Sequence, residues 1–193
     1  MSALVLPVFS CSLDPRSKSR ELAVTSVALL REAGHHTELV DLAATGLPTF
    51  DNDRVFETAL FAQLHETIRA ADGIVLSFPI YNWAPGATVK WLIESTGATG
   101  DGEHTAAWFD KVVTFVCAAG LPHSYMATTS IGQSLMADFK CIINPYVGYV
   151  SGRDWVDDQL SDDRGYRLEK TLRVHVELAQ LLRARSYSSD WEV

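Results

Sequence analysis

A short segment near the N-terminus combines hydroxyl and cationic side chains in a way that suits anion binding. It reads SCSLDPRSKSR over residues 10–20 and directly follows the apolar run ALVLPVF. Serine hydroxyls can donate hydrogen bonds to phosphate oxygens, and the free N–H groups of a helix N-terminus attract the same anion. The candidate ligand-binding residues of this segment are Ser10, Ser12, Arg16, Ser17, Lys18 and Ser19.

The same segment has a simpler interpretation. Ser17 or Ser19 could cap the first helix while the cations point into solvent. The standard phosphate-binding motifs G-x-G-x-x-G and G-x-x-x-x-G-K-[ST] do not occur in the sequence. The set of hydroxyls after a predicted strand favours the anion site, because ligands of open α/β sheets bind beyond the carboxyl ends of the strands.

A second segment, SFPIYNWAPGATVKWLIESTG over residues 77–97, predicts a binding site for a flat ring. Pro79 and Asn82 favour a turn, and Pro85 with its following glycine suits the entrance of a helix. Such a turn exposes backbone polar groups beside the rings of Tyr81 and Trp83. Stacking and edge hydrogen bonds together suit an aromatic heterocycle.

The composition limits the class of protein. With 193 residues and 47% hydrophobic residues, the chain predicts one domain over 1–193. A net charge of −8 disfavours nucleic-acid binding. The sequence has neither a membrane-spanning apolar run nor a secretory signal, so we expect a cytoplasmic protein without membrane partners. The three cysteines lack C-x-x-C spacing, so we expect reduced thiols and no metal site.

Apolar runs alternate with amphipathic stretches, which predicts a parallel sheet covered by helices. The predicted strands are Ala3–Phe9, Thr37–Leu42, Gly73–Phe78, Val112–Ala118 and Tyr146–Val150. We expect a three-layer αβα sandwich of the flavodoxin type, a five-stranded parallel sheet in the order 2-1-3-4-5, although a dinucleotide-binding half-fold shares the local pattern. Pro7 is unexpected in a central strand, and the aspartate-rich residues 154–163 predict a solvated loop.

Two motifs resemble those of the NADPH-dependent FMN reductase family. SCSLDPRSKSRELA is similar to the family pattern G-S-L-R-x-x-S-x-N-R-x-L, and FPIYNWAPGATVKWLIE to P-x-Y-N-x-x-x-P-G-x-L-K-N. The resemblance extends more weakly through VCAAGLPHS to about residue 150. This sequence departs from the family at three positions. Asp14 replaces the arginine of the first motif, Ile80 replaces the acidic residue that often follows the proline, and Trp83 replaces the small residue that follows the asparagine.

The resemblance implies a role for each matching position. Hydroxyls of the first loop, at Ser12, Ser17 and Ser19, would hold the FMN phosphate. The turn residues lie along the flavin and the loop after the fourth strand closes over it. These positions are Pro79, Ile80, Tyr81, Asn82 and Trp83 in the turn, and Ala119, Gly120 and His123 in the loop.

The resemblance implies an FMN-dependent oxidoreductase that takes hydride from NADPH or NADH and reduces a flavin, quinone or other small acceptor. His123 would protonate the reduced acceptor, or would be a solvated loop histidine. A homodimer or homotetramer is expected from the apolar residues Trp91, Leu92 and Ile93. Two alternatives remain: a flavin-binding electron carrier, and a repurposed fold that no longer binds flavin.

Overall fold

The structure, a computed structural model, describes residues 2–97 and 106–184. In these ranges strands and helices alternate. The strands are β1 Val8–Ser10, β2 Leu39–Asp41, β3 Gly73–Tyr81, β4 Ala84–Pro85, β5 Val112–Ala119, β6 Ile142–Ile143, β7 Gly148–Ser151, β8 Trp155–Val156 and β9 Gln159–Leu160. The α-helices are α1 Lys18–Glu32, α2 Leu42–Thr45, α3 Ala59–Ala70, α4 Ala87–Thr96, α5 Thr129–Phe139 and α6 Asp162–Arg183. Short 3₁₀ helices span Arg54–Glu57, Ser124–Thr128 and Gly152–Asp154.

The central sheet has the expected strand order. Its hydrogen-bonded order is β2-β1-β3-β5-β6, with β7 also paired to β5 and all these pairs parallel. The short β4 pairs antiparallel with the end of β3, and β8 pairs with β9 as a separate hairpin. The arrangement is the flavodoxin-like α/β fold, and the predicted order 2-1-3-4-5 is confirmed.

The strand at the edge of the sheet differs from the prediction. A single strand over Tyr146–Val150 is expected, but two short strands, β6 and β7, pair with the beginning and the end of β5. Asn144 lies in the interruption, where its side-chain amide donates to the Thr114 hydroxyl and to the Thr171 carbonyl, each at 3.0 Å. The split strand and β4 give the main sheet seven strands instead of five.

Pro7 explains why β1 is shorter than expected. The regular strand begins only at Val8, although the chain before it already follows β2 through a bond from the Leu6 amide to the His36 carbonyl at 2.8 Å. The Pro7 carbonyl accepts from the Val75 amide at 3.1 Å. Proline has no backbone N–H, and the register places this position opposite the Gly73 carbonyl. One ladder hydrogen bond is therefore lost at the start of the strand.

Helices cover both faces of the sheet. Side chains of successive strand residues point to opposite faces, so neighbouring residues of one strand belong to different clusters. One face packs against α1 and α6, and Val75 of β3 belongs to this cluster. The other face packs against α3, α4 and α5, and Leu76 belongs to that cluster. Burial on both faces accounts for the nearly continuous apolar sequences of β3 and β5.

The aspartate-rich segment is more ordered than the predicted solvated loop. It forms the β8–β9 hairpin, with Trp155 paired to Leu160. Asp154 is largely buried and accepts hydrogen bonds from the Ser151 amide at 2.7 Å, the Ser151 hydroxyl at 2.6 Å and Arg164 Nε at 3.0 Å. Burial opposes ionisation of Asp154, yet these hydrogen bonds hold its pKa below its ordinary value.

Within residues 2–97 and 106–184, no helix combines the length and apolar character needed to cross a bilayer.

Candidate functional site

The three sequence segments predicted to bind a ligand lie at one end of the sheet. β1, β3 and β5 are parallel neighbours, with Ser10 opposite Ser77 and Pro79 opposite Ala118. Their following loops therefore emerge at the same edge. β4, in the second loop, lies beside the 3₁₀ helix Ser124–Thr128 of the third. This carboxyl end of the sheet is the crevice in which open α/β proteins bind ligands.

The hydroxyls at the start of α1 bond to each other instead of capping the helix. Ser17 occupies the N-cap position, but within the described residues its side chain makes no capping bond. Its hydroxyl lies 2.7 Å from that of Ser19, and both residues are buried. The position of Ser17 agrees with the capping interpretation, but the capping bond of its hydroxyl is not made. The N-terminus of α1 retains its attraction for an anion.

Three further serines lie in or just after β1 and β3. Ser10 ends β1, and its fully buried hydroxyl has no hydrogen-bond partner among the described residues. Ser12 is also buried, and its hydroxyl accepts from the Asp14 amide at 3.2 Å. Ser77, which the sequence prediction missed, donates its hydroxyl to the Ser19 carbonyl at 2.7 Å. Its signal in the sequence is a polar residue in the middle of the apolar run GIVLSFPIY.

The two predicted cations differ in their surroundings. Arg16 is 92% exposed, and its amide donates to the Asp14 carboxylate at 2.9 Å. This bond within the loop engages the acidic group that replaces the family's arginine.

Lys18 lies among carboxylates. Its ammonium group donates to Glu21 at 3.1 Å and to Asp158 at 3.3 Å, and it lies 4.3 Å from the ring centre of Trp155. The pKa of Lys18 is raised, mainly by the hydrogen bond to Glu21. Asp158 acts in the same direction, and burial has a smaller, opposite effect. Because two carboxylates share this charge, anion attraction in the first loop depends mainly on the hydroxyls and the helix N-terminus.

The second loop is a tight hairpin at the end of β3. Ile80 pairs with Pro85 and Tyr81 with Ala84, so Asn82 and Trp83 form a two-residue turn. Both turn residues have positive φ, 49° and 65°, as in a type I′ turn. Asparagine tolerates this conformation, but a tryptophan is strained in it.

The hairpin presents its aromatic rings to solvent. Tyr81 is 56% and Trp83 62% exposed, whereas Ile80 is buried. The Gly86 amide donates to the Pro79 carbonyl at 3.1 Å, which closes the turn before α4 begins at Ala87. The prediction of a turn followed by a helix is confirmed.

The third loop is fixed from the edge of the sheet. Ala119 ends β5 opposite Ser151, and Gly120 and His123 are exposed. The Tyr149 hydroxyl donates to the Leu121 carbonyl and accepts from the Ser124 amide. Sequence reasoning missed this anchor, because a tyrosine in a predicted strand gives no sign that its hydroxyl reaches a loop 28 residues away.

Cys11 follows β1 directly but is unsuited to redox chemistry. It is fully buried, and its amide donates to the Ser77 carbonyl at 2.8 Å. Burial, and then the charge of Asp41, raise the pKa of this thiol well above its ordinary value. The thiol therefore stays protonated, as expected for a packed cysteine.

The fold and the crevice define an α/β protein with a ligand site at the carboxyl end of a parallel sheet. The family model of NADPH-dependent FMN reductase matches residues 5–152, which is more than half of the chain. The chain therefore belongs to the NADPH-dependent FMN reductase family, and it is an NAD(P)H-dependent oxidoreductase.

Solved structures share this fold at low sequence identity. FerB, an NAD(P)H:(acceptor) oxidoreductase from Paracoccus denitrificans, has a TM-score of 0.74 at 16% identity, covering 93% of this chain and 98% of its own. RosB, solved with a riboflavin-5′-phosphate derivative, has a TM-score of 0.78 at 16% identity, covering 97% of this chain and 83% of its own. The apo form of the NADH:FMN oxidoreductase EMOB has a TM-score of 0.72 at 13% identity, covering 95% of this chain and 92% of its own. The curated proteins contain no match.

Proposed function

We propose that this protein binds FMN at the carboxyl end of its sheet and transfers electrons from NADPH or NADH to a flavin, a quinone or another small acceptor. The family of the chain supports the flavin and the nicotinamide donor in general. FMN itself, and the residues that hold it, are inferred from the crevice.

The buried hydroxyl of Ser10 is the observation that carries the proposal. A buried polar group without a partner is uncommon in proteins, and it costs free energy unless a ligand or water satisfies it. Ser10 lies at the end of β1, beside the strand of Ser77, whose hydroxyl contacts the first turn of α1. With the Ser17–Ser19 pair, this helix start supplies hydroxyls and backbone amides that fit a phosphate.

The other two loops fit the ring system. Tyr81 and Trp83 offer exposed aromatic faces beside the backbone of the hairpin, and Pro79 and Asn82 hold its shape. Ala119 and Gly120 end β5 at the same edge, where their backbone groups can contact a ring. Bound FMN would supply hydride acceptance at its ring, while these residues orient it and exclude water from one face. Exposed His123 is the proposed proton donor to a reduced acceptor.

We also propose a homodimer or homotetramer, but for a different reason from the one given by the sequence. Leu92 and Ile93 are buried inside the chain and Trp91 is half-buried, so they offer little surface for a partner. Exposed apolar side chains lie instead in and beside the third loop, at Leu121 and Met126. A second copy covering these residues would also narrow the crevice.

The test of FMN binding is a visible absorbance titration of the purified full chain with FMN, followed by anaerobic NADPH. We expect flavin bands that bleach on NADPH. The double variant Ser17→Ala with Ser19→Ala removes two hydroxyls and should weaken FMN binding about 10- to 100-fold, since hydrogen bonds to charged groups are the stronger class.

Ser134→Ala is the matched control. Its hydroxyl is exposed and donates to the Ser130 carbonyl of its own helix, so FMN affinity should not change. A colourless protein that binds no FMN would contradict the proposal. Bound flavin that NADPH does not reduce would contradict the donor and favour an electron carrier.

A further inference from the structure

A cleft outside the proposed flavin site lies between β7, the 3₁₀ helix Ser124–Thr128 and the first half of α6. We call it the tyrosine cleft, and the residues that define it are Tyr125, Tyr146, Tyr149, Tyr166, Arg167 and Lys170. Its volume is about 530 Å³. Small-molecule sites commonly measure about 300–1,000 Å³, so the cleft is large enough for a compact organic ligand.

The cleft is lined by aromatic rings from three different elements. Tyr125 comes from the 3₁₀ helix, Tyr146 from the chain before β7, and Tyr166 from α6. All three are exposed, Tyr125 by 61% and Tyr166 by 60%. Tyrosine rings stack on planar ligands while their hydroxyls remain able to form hydrogen bonds. The convergence of exposed rings favours a ligand with a flat ring.

One wall of the cleft carries positive charge, in a chain of net charge −8. Arg167 is largely exposed, and its Nε lies 3.7 Å from the Asp163 carboxylate. Lys170, one helical turn further, lies 5.3 Å from the ring centre of Tyr146, and within residues 2–97 and 106–184 it makes no ion pair. Arg164 is already paired with Asp154 at 3.0 Å. Lys170, and Arg167 with its longer contact to the exposed Asp163, are therefore the two cations of this wall that can turn to an anion.

Hydrogen bonds of Tyr149 join two of the elements that form the cleft. The Tyr149 hydroxyl bonds to the Leu121 carbonyl and the Ser124 amide, which joins β7 to the 3₁₀ helix. Preformed sites bind more tightly because fewer groups must be ordered on binding.

The edge of β7 does not favour a peptide. The Tyr149 amide donates to the Val147 carbonyl at 2.9 Å, and the Ser151 amide donates to Asp154 at 2.7 Å. An added strand needs free edge amides, and these two are already satisfied. The geometry therefore favours a small molecule over an extended chain.

We propose that the tyrosine cleft binds a nucleoside monophosphate, with its base among the tyrosines and its phosphate between Arg167 and Lys170. The phosphate could belong to a free nucleotide or to the adenosine end of the nicotinamide donor. Both sources share the chemistry of a flat base linked to a phosphate. The proposal does not depend on FMN, because nucleotide binding can be measured on the full chain without flavin.

The test uses isothermal titration calorimetry of the full chain with AMP, with adenosine and with inorganic phosphate. AMP should bind more tightly than either fragment, because it engages both walls of the cleft. The double variant Arg167→Gln with Lys170→Gln should weaken AMP binding at least tenfold, and Tyr166→Leu should weaken it less. The control is Arg173→Gln, which removes one positive charge from α6 outside the cleft, and the single variant Lys170→Gln is the charge-matched comparison for it.

The AMP titrations of the wild type and the variants distinguish binding in the tyrosine cleft from binding elsewhere. AMP binding that the double variant loses and Arg173→Gln retains supports the site. In that case a raised KM for NADPH in the double variant assigns the cleft to the donor, and an unchanged KM assigns it to a free nucleotide. Absent AMP binding, AMP binding that the double variant retains, or equal binding of inorganic phosphate would overturn the proposal. Circular dichroism of each variant checks that it is folded.

Discussion

Two buried polar atoms in the described part of the chain lack a hydrogen-bond partner, and they lie in contrasting surroundings. Ser10 Oγ ends β1 at the edge where the ligand loops emerge. His175 Nε2 lies on α6 against the interior of the sheet, and the other ring nitrogen of His175 shares a hydrogen bond of 2.9 Å with the Thr114 hydroxyl. Both atoms are buried, but the first lies at the edge of the sheet from which the ligand loops emerge, and the second lies between the sheet and α6.

The enclosure of His175 is visible at Gly73. A β-carbon added to Gly73 would lie 2.7 Å from the Cε1 atom of the imidazole, which is closer than packed atoms approach. Thr114 also accepts from Asn144, so the imidazole belongs to a chain of hydrogen bonds between the sheet and α6. We therefore expect the unpartnered group beside the ligand loops to affect ligand binding, and the unpartnered group between the sheet and α6 to affect stability alone.

The largest expected effect is a pH dependence of stability that comes from the interior group. Burial, and then the charge of His35, lower the pKa of His175 from 6.5 to about 3. The unfolded chain therefore takes up a proton as the pH falls below 6.5, while the folded protein does not. The neutral His175 therefore contributes fully to the free energy of unfolding above pH 6.5. About 3 kcal/mol of this stability should be lost by pH 4.

Urea denaturation between pH 7.5 and 4 measures this slope. His175→Gln keeps a polar side chain but cannot titrate. Its unfolding free energy should therefore depend less steeply on pH than that of the wild type, by about 1.4 kcal/mol per pH unit, whatever its absolute stability. His36→Gln is the control, since that residue is not enclosed. Equal slopes in the wild type and His175→Gln would show that the imidazole is not the source.

A smaller effect is expected from overpacking the same interior. Gly73→Ala places a methyl group against the His175 ring, which is fully buried and hydrogen-bonded to Thr114, and should destabilise the fold by about 2 kcal/mol. Gly165→Ala is the matched control, because an added β-carbon there meets no atom within 4 Å and alanine favours the α6 helix. Thermal unfolding should show a lower Tm for Gly73→Ala and an unchanged or higher Tm for Gly165→Ala; equal Tm values would contradict the enclosure.

The smallest effect compares the removal of one hydroxyl in each region. Thr114→Val breaks the bonds to His175 and Asn144 and should cost about 1 to 2 kcal/mol of stability. Ser10→Ala removes a hydroxyl that has no partner in the described structure, so stability should change by less than about 0.5 kcal/mol.

FMN titration of these two variants completes the comparison. Ser10→Ala should weaken FMN binding, and Thr114→Val should not. The reverse pattern would mean that the crevice hydroxyl is structural and the interior network serves the ligand.

Sequence patterns predicted the parts of the fold that depend on neighbouring residues. The alternation of apolar runs indicated the parallel sheet, the flavodoxin type supplied its order, and Pro79, Asn82 and Pro85 indicated the turn before α4. Pro7 marked the strand that proved shorter than expected. Local patterns succeed here because backbone conformation and burial depend on side chains that lie close together in the chain.

The partners of individual side chains were not predictable in this way. Lys18 contacts Asp158, 140 residues later, and Asp154 is held by Arg164 instead of by solvent. Leu92 and Ile93 proved to be core residues, so they did not mark the expected interface. The proposed roles of the crevice residues, the single domain over 1–193 and the cytoplasmic location stay predictions.

The sequence by itself determined that hydroxyls, a tight aromatic turn and a third loop would follow neighbouring parallel strands. Only the tertiary structure decided that Ser17 and Ser19 bond to each other, that Ser10 has no partner among the described residues, and that Lys18 lies among carboxylates. The physical reason is that strands, helices and turns follow from patterns among residues that lie close together in the chain. A hydrogen bond, in contrast, requires two atoms to meet within a few tenths of an ångström, and their meeting depends on the packing of the whole chain.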